Sequence, residues 1–150
     1  VLADALSYAQ RYNPAAIIDL ATLTGACVVA LGNYAAGAVT NNAELMGRVA
    51  EAASATSERV WELPLWDEYK NQIRSDIADI KNTGGRYGGA ITAGAFLSHF
   101  VGDFPWVHLD IAGVAWTEEQ PRDYQPKGAT GYGVRLLIEL LRSWSGASAL

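Results

Sequence analysis

Apolar residues recur at helical spacing from the start of the chain. Leu2, Ala5, Leu6 and Ala9 fall at i, i+3, i+4 and i+7, which predicts a helix stopped by Asn13-Pro14. No Ser, Thr, Asp or Asn precedes the stripe as a cap, so the helix reads as already under way at Val1. The run AAIIDLA (15–21) predicts a short buried strand. Thr22-Leu23-Thr24-Gly25 then predicts a turn into a short apolar helix closed by Gly32. A second strand is expected over 36–40, and Asn42 is placed to cap a helix whose Met46, Val49, Ala50 and Ala53 would face inward.

Further along, residues 59–63 predict a short strand ended by Pro64, and residues 67–73 a helix. The segment DIKNTGGRYGG (79–89) is a glycine-rich loop leading into an apolar helix over 90–101. WVHLDIA (106–112) alternates, with Val107, Leu109 and Ile111 on one face and His108, Asp110 and Ala112 on the other, the clearest strand in the sequence. A long loop over 117–129 leads to Thr130 as the expected cap of a last helix, with Val134, Leu137, Ile138 and Leu141 turned inward. The alternation of strand and helix without internal repeat or low-complexity linker defines a single α/β unit.

Two strand exits carry candidate chemistry. In open α/β sheets ligands sit beyond the carboxyl ends of strands. Here those ends run into Thr22-Leu23-Thr24-Gly25 and into Ala112-Gly113-Val114-Ala115, whose small residues leave room for a bound molecule or, in the plainer reading, let helices pack closely on the sheet.

Composition narrows the field. Half of the 150 residues are hydrophobic and 18% are charged, enough for a real core. The net charge of -5 argues against nucleic-acid or anionic-membrane partners. A single cysteine, Cys27, rules out an internal disulfide framework and favours a reducing compartment such as the cytosol. Apolar runs such as 26–31 are far too short to cross a bilayer.

Several chemistries fail on the residues. There is no G-x-S-x-G nucleophile elbow, and Cys27 lies in an apolar run where a thiol packs rather than reacts. Gly84 to Gly89 outlines a phosphate loop, but Ala90-Ile91 stands where Lys-Ser/Thr would be needed. His108 and Asp110 share a strand face with α-carbons about 6.5–7 Å apart, a pair that fits a buried hydrogen-bonded role better than a metal site lacking a third ligand. His99 is expected on a partly exposed helix face.

The ordered set VLADAL, IIDLATLTGACVVALG, RVWELPL, ADIKNTGG, GAITAGAFL, HLDIAGVAW and KGATGYGVRLL resembles the carboxyl-terminal part of the leucyl aminopeptidase (cytosol aminopeptidase) family, over Val1 to about Leu141. The resemblance implies an α/β fold, the carboxyl-terminal portion of an α/β/α peptidase domain with a mixed sheet. Residues 1–150 would be part of that catalytic domain, with the family's amino-terminal domain and metal-ligand segment outside this sequence. In the family, the signature N-T-D-A-E-G-R immediately precedes the first helix and supplies acidic ligands and a catalytic arginine; neither it nor the catalytic lysine is present here. Asp4, Asp19 and Asp110 are therefore not assigned as ligands.

By the same resemblance, the complete enzyme removes amino-terminal residues such as leucine from peptides with two divalent metal ions (Mn, Zn or Mg), and is a cytoplasmic homohexamer. Thr22, Gly25, Ala112 and Ala115 match positions lining the pocket for the first side chain. Leu23 offers backbone contacts to the peptide, and Thr83 flanks the next residue. Ala115 stands where some family members carry the larger methionine. The resemblance assigns no catalytic and no metal-binding residue to this chain, so the piece alone is expected to be inactive and, with uncovered strand edges, to associate. The alternative from a different class is a non-enzymatic remnant that serves as an assembly or binding module.

Overall fold

The computed structural model describes residues 1–118, 124–125 and 127–144. Helix α1 (Leu2–Ala9) continues as a 3-10 turn to Tyr12, and Asn13 ends it in the left-handed region at φ 47°. Strand β1 (Ile17–Ala21) leads to α2 (Gly25–Leu31), then come β2 (Ala36–Thr40), α3 (Ala43–Thr56), β3 (Val60–Glu62) and α4 (Asp67–Gln72). After the glycine-rich loop follow α5 (Gly89–Ser98), β4 (Trp106–Asp110), the short strands β5 (Trp116–Thr117) and β6 (Gly128–Ala129), and α6 (Val134–Trp144).

Four strands form a mixed sheet in the order β1-β4-β2-β3. Strands β1 and β4 are parallel, β2 and β3 are parallel, and β2 runs antiparallel to β4. Both faces of the sheet are covered. Val107 and Leu109 of β4 and Ala38 of β2 pack with Leu45, Met46 and Val49 of α3 and Leu136 and Leu140 of α6. On the other face Ile17, Val39 and Trp106 pack with Leu6 of α1, Leu97 of α5 and Val101 just beyond α5. This is the α/β/α layering that the resemblance implies. It also explains why β4 is buried along its whole length although its sequence alternates.

Close layers need missing side chains at two places. A Cβ at Gly94 of α5 would lie 2.7–2.9 Å from three atoms of Val39, and one at Gly37 of β2 would lie 3.0 Å from Cys27 Sγ. Glycine at these positions brings α5 and α2 down onto β2.

At several elements the structure departs from the sequence reading. Ala50 of α3 is exposed, and Leu45 and Ala52 join Met46, Val49 and Ala53 on the buried face instead. Helix α5 ends at Ser98 rather than 101, because His99 and Phe100 bond back three residues, to Phe96 and Leu97, and Gly102 turns the chain at φ 59°. Strand β4 stops at Asp110 rather than 112, since the amides of Val114 and Ala115 both donate to Ile111 O and close a turn. The expected loop over 117–129 contains the antiparallel β5–β6 pair, with residues 119–123 and 126 outside the described residues.

Helix α6 differs most. Thr130 does not cap it; the helix begins at Val134, and Leu136 and Leu140 are its buried residues. Val134, Ile138 and Leu141 are exposed, at 58%, 46% and 69%, and Leu137 is half-buried. The cap comes from the distant Glu58, whose carboxylate accepts the amides of Gly133 at 3.2 Å and Leu136 at 2.8 Å. An acidic group at a helix amino terminus meets both the free amides and the positive end of the helix dipole. Pinning the Leu136 amide there rotates Leu136 and Leu140, not Val134 and Leu141, toward α3.

Candidate functional site

Parallel pairing of β1 and β4 in the register Ala21↔Asp110 places the two small-residue exits side by side at one edge of the sheet. Asp110 then joins them. Its Oδ1 accepts the amides of Leu23 and Ala112, each at 3.1 Å, and its Oδ2 accepts the Thr24 hydroxyl at 2.7 Å. Thr24 in turn caps α2 by accepting the Cys27 amide at 3.0 Å. One buried carboxylate thus fixes both loops, and hydrogen bonds to a charged acceptor are the stronger kind.

Cys27 lies beneath this junction, buried, with its thiol 3.5 Å from Asp110 O. Burial, with a further contribution from the Asp110 charge, pushes its pKa up and keeps it a thiol. The packing role read from the sequence holds.

His108 is buried one pleat earlier, and its Nδ1 lies 2.6 Å from Asp19 Oδ1. Trp106 Nε1 donates to Asp19 Oδ2 at 2.6 Å. Asp19 and His108 are register partners across β1 and β4, so this pair ties the strands together on the α1/α5 face. The structural role expected of His108 is met, through a partner the sequence did not indicate. His99 is exposed at the end of α5.

Two cavities flank the edge. One, of about 610 Å³, is lined by Leu23, Thr24, Asn82, Thr83 and Thr92, with Leu2 and Asp4 of α1 at its rim. The other, about 820 Å³, is lined by Ala112, Tyr34, Arg59, Tyr132 and Arg135 among others. Of the six sequence-derived site residues, Leu23 and Thr83 therefore share one cavity and Ala112 borders the other. Thr22 and Gly25 are exposed and Ala115 is half-buried, and none of these three lines either cavity. Asp110, Thr24 and Glu58 organise the region. The sequence marks Asp110 as half of a buried hydrogen-bonded pair and Thr24 as part of the first strand exit. It marks neither their mutual contact nor Glu58, because these partners are more than 70 residues apart and leave no local signal.

Among the described residues, no group of three or more His, Cys, Asp or Glu could hold a metal ion. Asp110 and Asp19 commit both carboxylate oxygens to hydrogen bonds. These residues do not fit the metal pair that the family resemblance implies. No helix among the described residues is long and apolar enough to cross a membrane.

This is a mixed-sheet α/β/α domain with paired small-residue loops at the carboxyl ends of two parallel strands, the place where open α/β sheets commonly hold ligands. The sequence profile of the cytosol aminopeptidase family's catalytic domain matches residues 1–138. The probable cytosol aminopeptidase of Roseiflexus castenholzii is 60% identical over 147 residues, covering 98% of this chain and 30% of that protein. That of Geobacter sulfurreducens is 60% identical over 143 residues, covering 95% of this chain and 29% of the relative. Among solved structures, the bottromycin maturation enzyme BotP superimposes with a TM-score of 0.91 at 40% identity, over 97% of this chain and 33% of that one. The chain belongs to the cytosol aminopeptidase family and spans about a third of the length of these relatives.

Proposed function

We propose that this chain is the substrate-facing part of a metal-dependent aminopeptidase that removes amino-terminal residues such as leucine from peptides. The observation that carries this reading is the Asp110 junction, which holds Leu23 and Ala112, one residue from each proposed binding loop, on one carboxylate oxygen. By the family resemblance, Thr22, Gly25, Ala112 and Ala115 would wall the pocket for the first side chain in the complete enzyme, although of these only Ala112 borders a cavity here; Leu23 would present backbone groups to the peptide and Thr83 would flank the following residue. The shared cavity of Leu23 and Thr83 supports the last two assignments. Small side chains at the strand exits leave the space, and the fixed backbone holds the substrate without a mobile wall.

The two metal ions, zinc, manganese or magnesium, would be carried by family residues outside this sequence. Asp4 at the rim of the 610 Å³ cavity supports that arrangement, because the family's ligand motif runs directly into this first helix. The complete protein would be a cytoplasmic homohexamer acting on peptides. Assaying amine release from a leucine chromogenic amide tests the reading. The complete protein with manganese should turn over, and the 150-residue chain should not. Chelator-sensitive turnover by the isolated chain, or none by the complete protein, would overturn it.

A further inference from the structure

The Ala112–Ala115 turn is held by the segment 130–136, whose Thr130, Tyr132 and Arg135 line the 820 Å³ cavity that Ala112 borders. Thr130 donates its hydroxyl to Val114 O at 2.6 Å and its amide to Ala115 O at 3.0 Å. The same hydroxyl oxygen accepts the Tyr132 amide at 3.2 Å. Tyr132 donates its phenol to Arg59 O at 2.6 Å, anchoring the segment to the start of β3. Next to it, Gly133 and Leu136 donate to the Glu58 carboxylate, which is 3% exposed and is also approached by Arg135 Nε at 3.3 Å. Residues 130–136 therefore hang between a buried anchor at Glu58 and the carbonyls of the turn that bears Ala115.

We propose that Thr130 is a positioning residue for side-chain selection: it sets where Val114 and Ala115 stand, and Glu58 and Tyr132 hold Thr130 in place. This rests on the reading of Ala112 and Ala115 as pocket wall. A satisfied network of partly buried polar groups is stiff, and losing one member leaves others without partners. Pockets separate first side chains by the space of one or a few methylenes, so a small shift of the wall changes preference more than it changes chemistry. Thr130 itself lines the 820 Å³ cavity that Ala112 borders, and it meets the turn through these two carbonyls.

The test uses the complete protein, with kcat/KM for leucine and alanine amides and hydrogen exchange at the Val114 and Ala115 amides. Thr130→Val keeps the shape and removes the hydroxyl; the leucine-to-alanine preference should change about tenfold, and protection of the two amides should fall. Thr130→Ser, which restores the hydroxyl, should recover both. If Thr130→Val does not fold, Tyr132→Phe, lacking only the phenol anchor, should move the same ratio and the same amides in the same direction. Equal losses on both substrates would overturn the inference while leaving the aminopeptidase reading intact. Unchanged protection at Val114 and Ala115 would overturn it whatever the activity, and absence of all turnover in the unsubstituted protein would instead strike the function reading.

Discussion

Asp110 accepts the backbone amide of Leu23 at 3.1 Å across 87 residues of sequence. The Ala112 amide shares the same oxygen, so the loop after β1 and the turn after β4 have a common anchor. Backbone amides aimed at a buried carboxylate define where both loops lie more tightly than apolar packing does.

Replacing that carboxylate should therefore be costly. In Asp110→Asn, the remaining carbonyl oxygen can serve the two amides, but the new amide group faces Thr24 Oγ1, which now donates to Oδ2. One donor loses its acceptor, at a cost of about 1–3 kcal/mol. Denaturant unfolding of the complete protein should show a lower midpoint at unchanged slope. An unchanged midpoint would mean that the junction contributes little.

The buried face of α6 gives a second expectation. Leu136 is fully buried against α3, whereas Leu141 is 69% exposed. Leu136→Ala should destabilise by about 2–5 kcal/mol, and Leu141→Ala should stay within about 0.5 kcal/mol. The reverse order in unfolding experiments would restore the face expected from spacing alone.

That helix also shows what spacing can and cannot decide. VRLLIELLRSW offers apolar residues on two overlapping faces, and the choice between them is made by Glu58, 78 residues from the Leu136 amide it accepts. Where a cap is local, as Asn42 is for α3 and Thr24 for α2, the sequence places the helix start well. Both strand exits were legible because a strand's end and a run of small residues are local features. Their adjacency depends on the parallel β1–β4 pairing, and the Asp110 contacts on that pairing in turn. No local pattern encodes either.

Tyr132 makes the fold sensitive to alkali. Burial, then the nearby Glu58 charge, pushes its phenol far above the ordinary value of 10.0. Because the folded state holds the proton and the unfolded state releases it, this contribution is complete below pH 10 and is lost as pH rises above that value. Tyr132→Phe should remove this part of the alkaline fall in stability. Parallel stability profiles of the two proteins above that pH would contradict the assignment.

Substituting Ala112 tests the account most directly. Ala112 is half-buried at the shared edge, its amide bound to Asp110. In the complete protein, Ala112→Phe should fill the pocket and lower kcat/KM for a leucine amide by tenfold or more, on the order of what a pocket-filling group excludes. Metal content should stay as in the unsubstituted protein. Leucine turnover unchanged by Ala112→Phe would place the first side chain elsewhere and contradict the reading of these strand exits as the substrate wall.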